Sequence, residues 1–290
     1  MYPLEINHNL FVLGNEYFHI YLIKGKKACA LVETGISATA AIVLEQLSSR
    51  GVEPDYVIVT HPHSDHITGL DYLKRSYPHA TVIAGDGAEA FLDHPKAEST
   101  LIAEDRHMIK AMTARGVCGS VEAITTSPTL SGCNVVNDGD EIDLGELNIK
   151  FIEAKGHAPG NILVHIPLLK TVLVSDSLGN YYPGRGFFPT FFTGFNDYMQ
   201  TIDRLENLDP MMMGLAHNGF ILDKVEITKM FRLARQAAYD VRHFIIHDTR
   251  NDEEIAHDLF RFYYTDPLAI YSPQNIMNCC RLLVRRVKEI

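Results

Sequence analysis

No run in these 290 residues approaches the ~20 consecutive apolar positions that a membrane-crossing helix needs, so no membrane partner is expected. The opening Met1-Tyr2-Pro3-Leu4-Glu5 lacks a basic stretch followed by an apolar one, so no secretory leader is read and a cytoplasmic location is expected. Cysteine is sparse and odd in number: Cys29, Cys118, Cys133, Cys279 and Cys280, five in all, with no CxxC pair. Reduced thiols are the expectation, and the vicinal pair reads as a helix burying one thiol. Clustered positive charge is missing as well. The formal net charge is −10, and the one basic run, Arg281, Arg285, Arg286 and Lys288, reads as a solvated helix face. Nucleic acid is therefore not an expected partner.

What is present suits a large α/β enzyme. Hydrophobic residues make up 46% and charged residues 21%, enough apolar material for a substantial core. Strand patterns occupy Leu10–Leu13, His19–Ile23 and Ala28–Glu33, and Ser37 is placed to cap a helix ending at Gly51. The continuous apolar run Tyr56–Thr60 fits a strand buried on both faces. Residues 88–116 read as helical and 117–140 as loop, and strand patterns return at 147–154, 162–166 and 171–175. Asn196 is placed to cap a further helix, and Met211–Ala216 is another apolar run. Beyond residue 222 only helices are predicted, roughly 224–247, 252–264 and 273–288. Asp223 with Glu226, Asn251 with Glu254, and Ser272-Pro273 signal their starts. The division expected is a catalytic domain over 1–222 and a helical extension over 223–290 that caps the site or makes an oligomer contact such as a homodimer.

Chemistry concentrates directly after the buried strand, in Thr60-His61-Pro62-His63-Ser64-Asp65-His66. Pro62 biases His61 away from helical geometry, so His61 and His63, two apart in extended chain, point the same way. A helix starting at Ser64 or Asp65 then turns Asp65 and His66 toward a neighbouring spot. By composition alone H-x-H-x-[DE]-H arises on the order of a few times per thousand such chains. Imidazole and carboxylate donors without thiolate suit Zn, Fe or Mn.

This motif resembles the first signature of the metallo-β-lactamase superfamily, and later motifs follow in order. Gly156-His157-Ala158-Pro159-Gly160 follows a strand, Val174-Ser175-Asp176 closes one with Ser where the family commonly has Gly, and Ala216-His217-Asn218 replaces a Gly-His-Gly. The resemblance covers roughly residues 8–220. It implies an αββα sandwich and two divalent metal ions, the first held by His61, His63 and His157, the second by Asp65, His66 and His217, with Asp176 bridging. Two such cations acidify a shared water to give a bridging hydroxide nucleophile, and Asp65 and Asp176 are the carboxylates expected to serve catalysis. Glu33-Thr34-Gly35 stands where the family often has an acidic residue and glycine, and either supports a ligand or simply ends a strand.

The aromatic stretch from Tyr181 to Phe192 lies a few residues past Asp176. Tyr181, Tyr182, Phe187, Phe188 and Phe191 are its candidate substrate contacts, against the plainer reading of a loop packed under the C-terminal helices. His243 and His247, four apart, read as ordinary helix-face residues. The expected activity is hydrolysis of a carboxylic ester, thioester or lactone of a small-molecule substrate, the extension resembling the layout of glyoxalase II-type and quinolone-signal response thioesterases. The alternatives are a mononuclear-iron persulfide dioxygenase, a nuclease of the RNA-processing branch, and a regulator acting through its helical extension.

Overall fold

Two twisted sheets meet face to face in the computed structural model, which describes residues 2–289. The first holds seven strands in chain order: β1 (Leu4–Asn7), β2 (Leu10–Gly14), β3 (His19–Lys24), β4 (Cys29–Val32), β5 (Tyr56–Val59), β6 (Thr81–Gly85) and β7 (Asn134–Val136). β1 to β4 run antiparallel, and β4 to β7 pair in parallel through helical crossovers. The second sheet contains β8 (Glu141–Asp143), β9 (Asn148–Glu153), β10 (Ile162–Ile166) and β11 (Thr171–Leu173). After a separate hairpin, β12 (Asn180–Tyr182) and β13 (Gly186–Phe188), it is completed by β14 (Met212–Gly214) and β15 (Phe220–Ile221).

Period-two alternation divides the core into layers. Leu10, Val12, Tyr21 and Ile58 meet Phe151, Ile162, Val164 and Leu173 between the sheets. Phe11, Leu13, Leu31, Val57 and Val59 face the other way, onto α1 (Ser37–Ser48) and, past the short α2 (Ser64–Ile67), onto α3 (Leu70–Ser76). α4 (Ala88–Leu92) and α5 (Ala97–Ala114) follow β6. On the far face of the second sheet, Ile152, Leu163 and Val172 pack under α6 (Phe195–Asn207) and α7 (Lys224–His247), with α8 (Asp252–Tyr263) and α9 (Pro273–Lys288) in the same apolar cluster. This is an αββα sandwich with a helical C-terminal segment. The boundary expected at 222 falls between β15 and α7, and the apolar packing runs across it without a break.

The three C-terminal helices start where their caps were read. Asp223 accepts from Val225 and Glu226 backbone N–H groups, Asn251 and Glu254 form a reciprocal capping box, and Ser272 accepts from the Asn275 N–H ahead of Pro273. Two other expected caps are corrected. α1 begins at Ser37 itself, whose hydroxyl instead donates to Asp105 at 2.6 Å. α6 begins at Phe195 with Gly194 as its cap, so Asn196 lies inside the helix. Residues 117–140, expected as loop, include β7, and the aromatic stretch contains the β12–β13 hairpin. No helix among the described residues is long and apolar enough to cross a membrane.

Candidate metal centre

β5 delivers the chain to the edge shared by both sheets. Thr60 follows its last residue, Pro62 keeps the next residues extended, and His63 (ψ 156°) is the last extended residue before α2 turns Asp65 and His66 inward. From the second sheet, the loop after β9 brings His157, the loop after β11 brings Asp176, and the loop after β14 brings His217. Two donor clusters result: His61 with His63 and His157, and Asp65 with His66, Asp176 and His217. Each sheet contributes to both, and all seven residues of the sequence-derived set are brought together. Asp176 faces both clusters. Its Oδ1 is 3.3 Å from His217 Nε2, and its Oδ2 is 3.5 Å from His66 Nε2 and 3.8 Å from His157 Nε2.

The hydrogen bonds around the clusters set the histidine tautomers. Glu33 Oε1 accepts the hydroxyls of Thr60 (2.8 Å) and Ser175 (2.7 Å), leaving their lone pairs to receive His61 Nδ1–H. Glu33 Oε2 takes Nδ1–H of His66 at 2.9 Å. His157 Nδ1 donates to the Thr190 carbonyl and His217 Nδ1 to the Tyr17 carbonyl. With Nδ1 committed as a donor, these four rings direct Nε2 inward, the atom that ligates a cation once it carries no proton. Nε2 of His61 and Nε2 of His157 stand only 3.1 Å apart, two lone pairs that repel unless a cation or proton lies between them. His66 Nε2 and Asp176 Oδ1 are buried with no hydrogen-bond partner. The donors fit divalent cations.

Electrostatics separate the clusters. Burial, then the neighbouring rings, holds His61 well below the ordinary imidazole range, and burial likewise lowers His157. In the other cluster burial opposes the charged rings. Glu33, Asp65 and Asp176 outweigh it at His66, and Asp176 with Asp65 pushes His217 up to about 10. A neutral triad of imidazoles thus sits beside an acidic pocket that attracts positive charge.

The departures from the expected glycines have a common geometry. Ser175 (φ +46°) and Asn218 (φ +58°) both occupy the left-handed region, as does Glu33 (φ +76°). Glycine or asparagine adopts that conformation at low cost. At Ser175 the hydroxyl's bond to Glu33 offsets the strain. Strain gathered around one cleft marks it as a functional site.

A cavity of about 320 Å³ opens on both clusters, with His63, His157, Asp65 and Asp176 in its wall. Phe91, Leu101, Phe188, Phe192 and, from α9, Ile276 and Leu282 supply apolar lining, interspersed with polar side chains that include Lys96, Glu104, Asn180 and Asn275. Of the five aromatic residues expected at the substrate, only Phe188 lines this cavity. Asn180 pairs with Phe188 across the hairpin and shares its face, whereas Tyr181 pairs with Phe187 and turns the other way. Tyr182 is buried outside the lining, and Phe191 packs into the core against Phe195 and Tyr198. His243 and His247 stack on the exposed face of α7 and belong to no cluster of three potential ligands among the described residues. Sequence reasoning missed Tyr271, whose hydroxyl reaches Asp65, and the hydroxyls of Thr60 and Ser175. Thr60 and Ser175 could have been suspected from their places next to ligands, but nothing marked Tyr271.

An αββα sandwich with a histidine triad beside a histidine–carboxylate cluster at the edge of its sheets defines a metal-binding hydrolase fold. The chain belongs to the metallo-beta-lactamase superfamily, whose sequence profile matches residues 17–217. A metallo-beta-lactamase fold-containing protein of Sulfurisphaera tokodaii is 26% identical over 210 residues, 71% of this chain and 74% of its own. A hydroxyacylglutathione hydrolase of Ruegeria pomeroyi is 30% identical over 64% of this chain, a match spanning 56% of that relative's length. An acyl-coenzyme A thioesterase of Bos taurus is 25% identical over 70% of this chain and 72% of its own. Among solved structures, a metallo-beta-lactamase family protein of Thermus thermophilus superposes with a TM-score of 0.64 at 16% identity, covering 94% of this chain and 93% of its own. That likeness speaks to the fold.

Proposed function

We propose that the chain is a metal-dependent hydrolase of carboxylic thioesters and related esters whose acyl group is compact and apolar. The observation that carries this reading is the cavity itself: the donor clusters lie in its wall, and most of the surface it exposes is apolar, from Phe91, Leu101, Phe188, Phe192, Ile276 and Leu282. His61, His63 and His157 would hold one divalent ion and Asp65, His66 and His217 another, with Asp176 facing both clusters. Zn, Fe and Mn all suit these donors. When bound, such ions supply a water acidified toward neutral pH and positive charge for the carbonyl oxygen.

The protein's own groups do the rest. Asp65 orients the attacking water, and Phe188 and Phe192 exclude bulk solvent from the reacting carbonyl. Phe91, Leu101, Ile276 and Leu282 take the acyl chain out of water. Asn180 Oδ1, buried without a partner on the same wall, offers an acceptor to a substrate hydroxyl or N–H. Relatives that act on thioesters, a hydroxyacylglutathione hydrolase and an acyl-coenzyme A thioesterase, support the choice of bond.

The test is metal content by elemental mass spectrometry on untagged protein, followed by hydrolysis of matched thioester, ester and lactone panels with acyl groups of graded size. About two ions per chain and a preference for apolar thioesters are expected. A single iron with oxygen consumption on sulfur substrates would replace this reading with the dioxygenase.

A further inference from the structure

Tyr271 enters the metal centre from the far end of the chain. It follows a short 3-10 turn, Asp266–Ile270, between α8 and α9, and is only 5% exposed. Its hydroxyl donates to Asp65 Oδ2 at 2.8 Å and lies 3.5 Å from His217 Nε2. That carboxylate oxygen is the one turned into the second cluster, 3.3 Å from His66 Nε2 and 3.4 Å from His217 Nε2.

The phenol is held from both sides. Its ring packs edge-on against Phe18 and His217 at centroid distances of 6.5 and 6.3 Å. Its carbonyl accepts the Tyr264 hydroxyl at 3.2 Å. The next residue, Ser272, donates its N–H (3.2 Å) and its hydroxyl to Glu104, a carboxylate of α5 that is itself only 5% exposed. Asp105, the following residue on α5, accepts from Thr68 at the end of α2, the helix carrying Asp65 and His66. One helix, α5, therefore fixes the position of Asp65 from one side and the residue that contacts it from the other.

We propose that Tyr271 is a positioning residue of the second cluster, its hydroxyl holding the Asp65 carboxylate turned toward His66 and His217, so that the C-terminal helical segment is part of the metal site. Among the described residues, Tyr271 is the one hydrogen-bond donor to the Asp65 carboxylate besides the ring nitrogens of the cluster. Without it the buried carboxylate is free to rotate away, and the ion held through it is held less tightly. Partners of this kind are typically worth 10–100-fold in metal affinity or activity. The inference rests on the metal-centre reading but not on the choice of substrate.

The experiment compares full-length wild type, Tyr271→Phe and Glu104→Gln by titration with zinc and with cobalt. Tyr271→Phe keeps the packed ring and removes one oxygen. Its second ion is expected to dissociate about 10–100-fold more readily with the first unchanged, the visible cobalt bands of the second site are expected to shift, and kcat is expected to fall with little change in KM. Glu104→Gln, which retains one acceptor for Ser272, is expected to move the same readouts less. Unchanged second-ion affinity and cobalt spectrum in Tyr271→Phe would overturn the proposal, and so would a wild type that takes up only one ion. Weakened binding in the variant, in a protein that hydrolyses no thioester or ester, would sustain this inference and refute the proposed function instead.

Discussion

Glu33 Oε2 lies 2.9 Å from His66 Nδ1, and the carboxylate's other oxygen takes the hydroxyls of Thr60 and Ser175. One buried side chain thus orients His66 directly and His61 through two hydroxyls, from a left-handed backbone position. The strand-ending Glu-Thr-Gly is a support for ligands rather than a plain turn.

Replacing Glu33 by Gln puts amide protons where three donors already converge. Metal affinity or kcat is expected to fall about 10–100-fold, read by metal titration and steady-state kinetics. Wild-type values in both would show that the histidines hold their tautomers unaided.

His61→Ala and Asp176→Asn are expected to reduce turnover to background while circular dichroism stays close to wild type. His61 belongs to the neutral triad and Asp176 faces both clusters, so elemental analysis should find metal lost in each variant. Near-normal hydrolysis by either would rule out the metal mechanism.

Asp105 is fully buried and accepts from four donors: Ser37 N–H and Oγ–H, Thr68 Oγ–H and Ile124 N–H. It ties α1, α2 and the segment after α5 together. Asp105→Ala leaves those donors dry and is expected to cost at least about 3 kcal/mol in urea unfolding. A loss under 1 kcal/mol would mean that water replaces the carboxylate.

Burial raises the Cys280 thiol from an ordinary 9.0 to about 12. Between those values the unfolded chain has shed the proton and the folded chain keeps it. The thiol's contribution is thus complete below pH 9 and is lost as pH climbs toward 12, by at most about 1.4 kcal/mol per pH unit. Cys280→Ala should therefore lose stability less steeply than wild type between pH 9 and 11 in denaturant titrations. Parallel declines would place the alkaline sensitivity elsewhere.

Local signals carried much of this structure, and their reach explains what was missed. Tyr56–Val59 is apolar on every residue because it is covered on both faces, and Pro62 acts on its immediate neighbour, so strand, ligand loop and helix were readable together. The C-terminal helices were readable because Asp223, Asn251 and Ser272 cap them through bonds to residues two or three ahead. Asn134–Val136 was not, since three residues, two of them exposed, show no periodicity and pair only through β6. Ser37 looked like a cap, yet its hydroxyl is claimed by Asp105, 68 residues away. The same limit hid which aromatics face the cavity, because that depended on the register of a hairpin, Asn180 opposite Phe188.

The contact between Asp65 and Tyr271 joins positions 206 apart in the chain. On a ribosome the two emerge in that order, and at about 5–20 residues per second the interval is roughly 10–40 s. For that time a nascent chain carries the His61–His66 ligands without the hydroxyl that steadies Asp65. Synthesis thereby acts as a timer, and a growing chain cannot hold the finished centre until its last helical segment arrives.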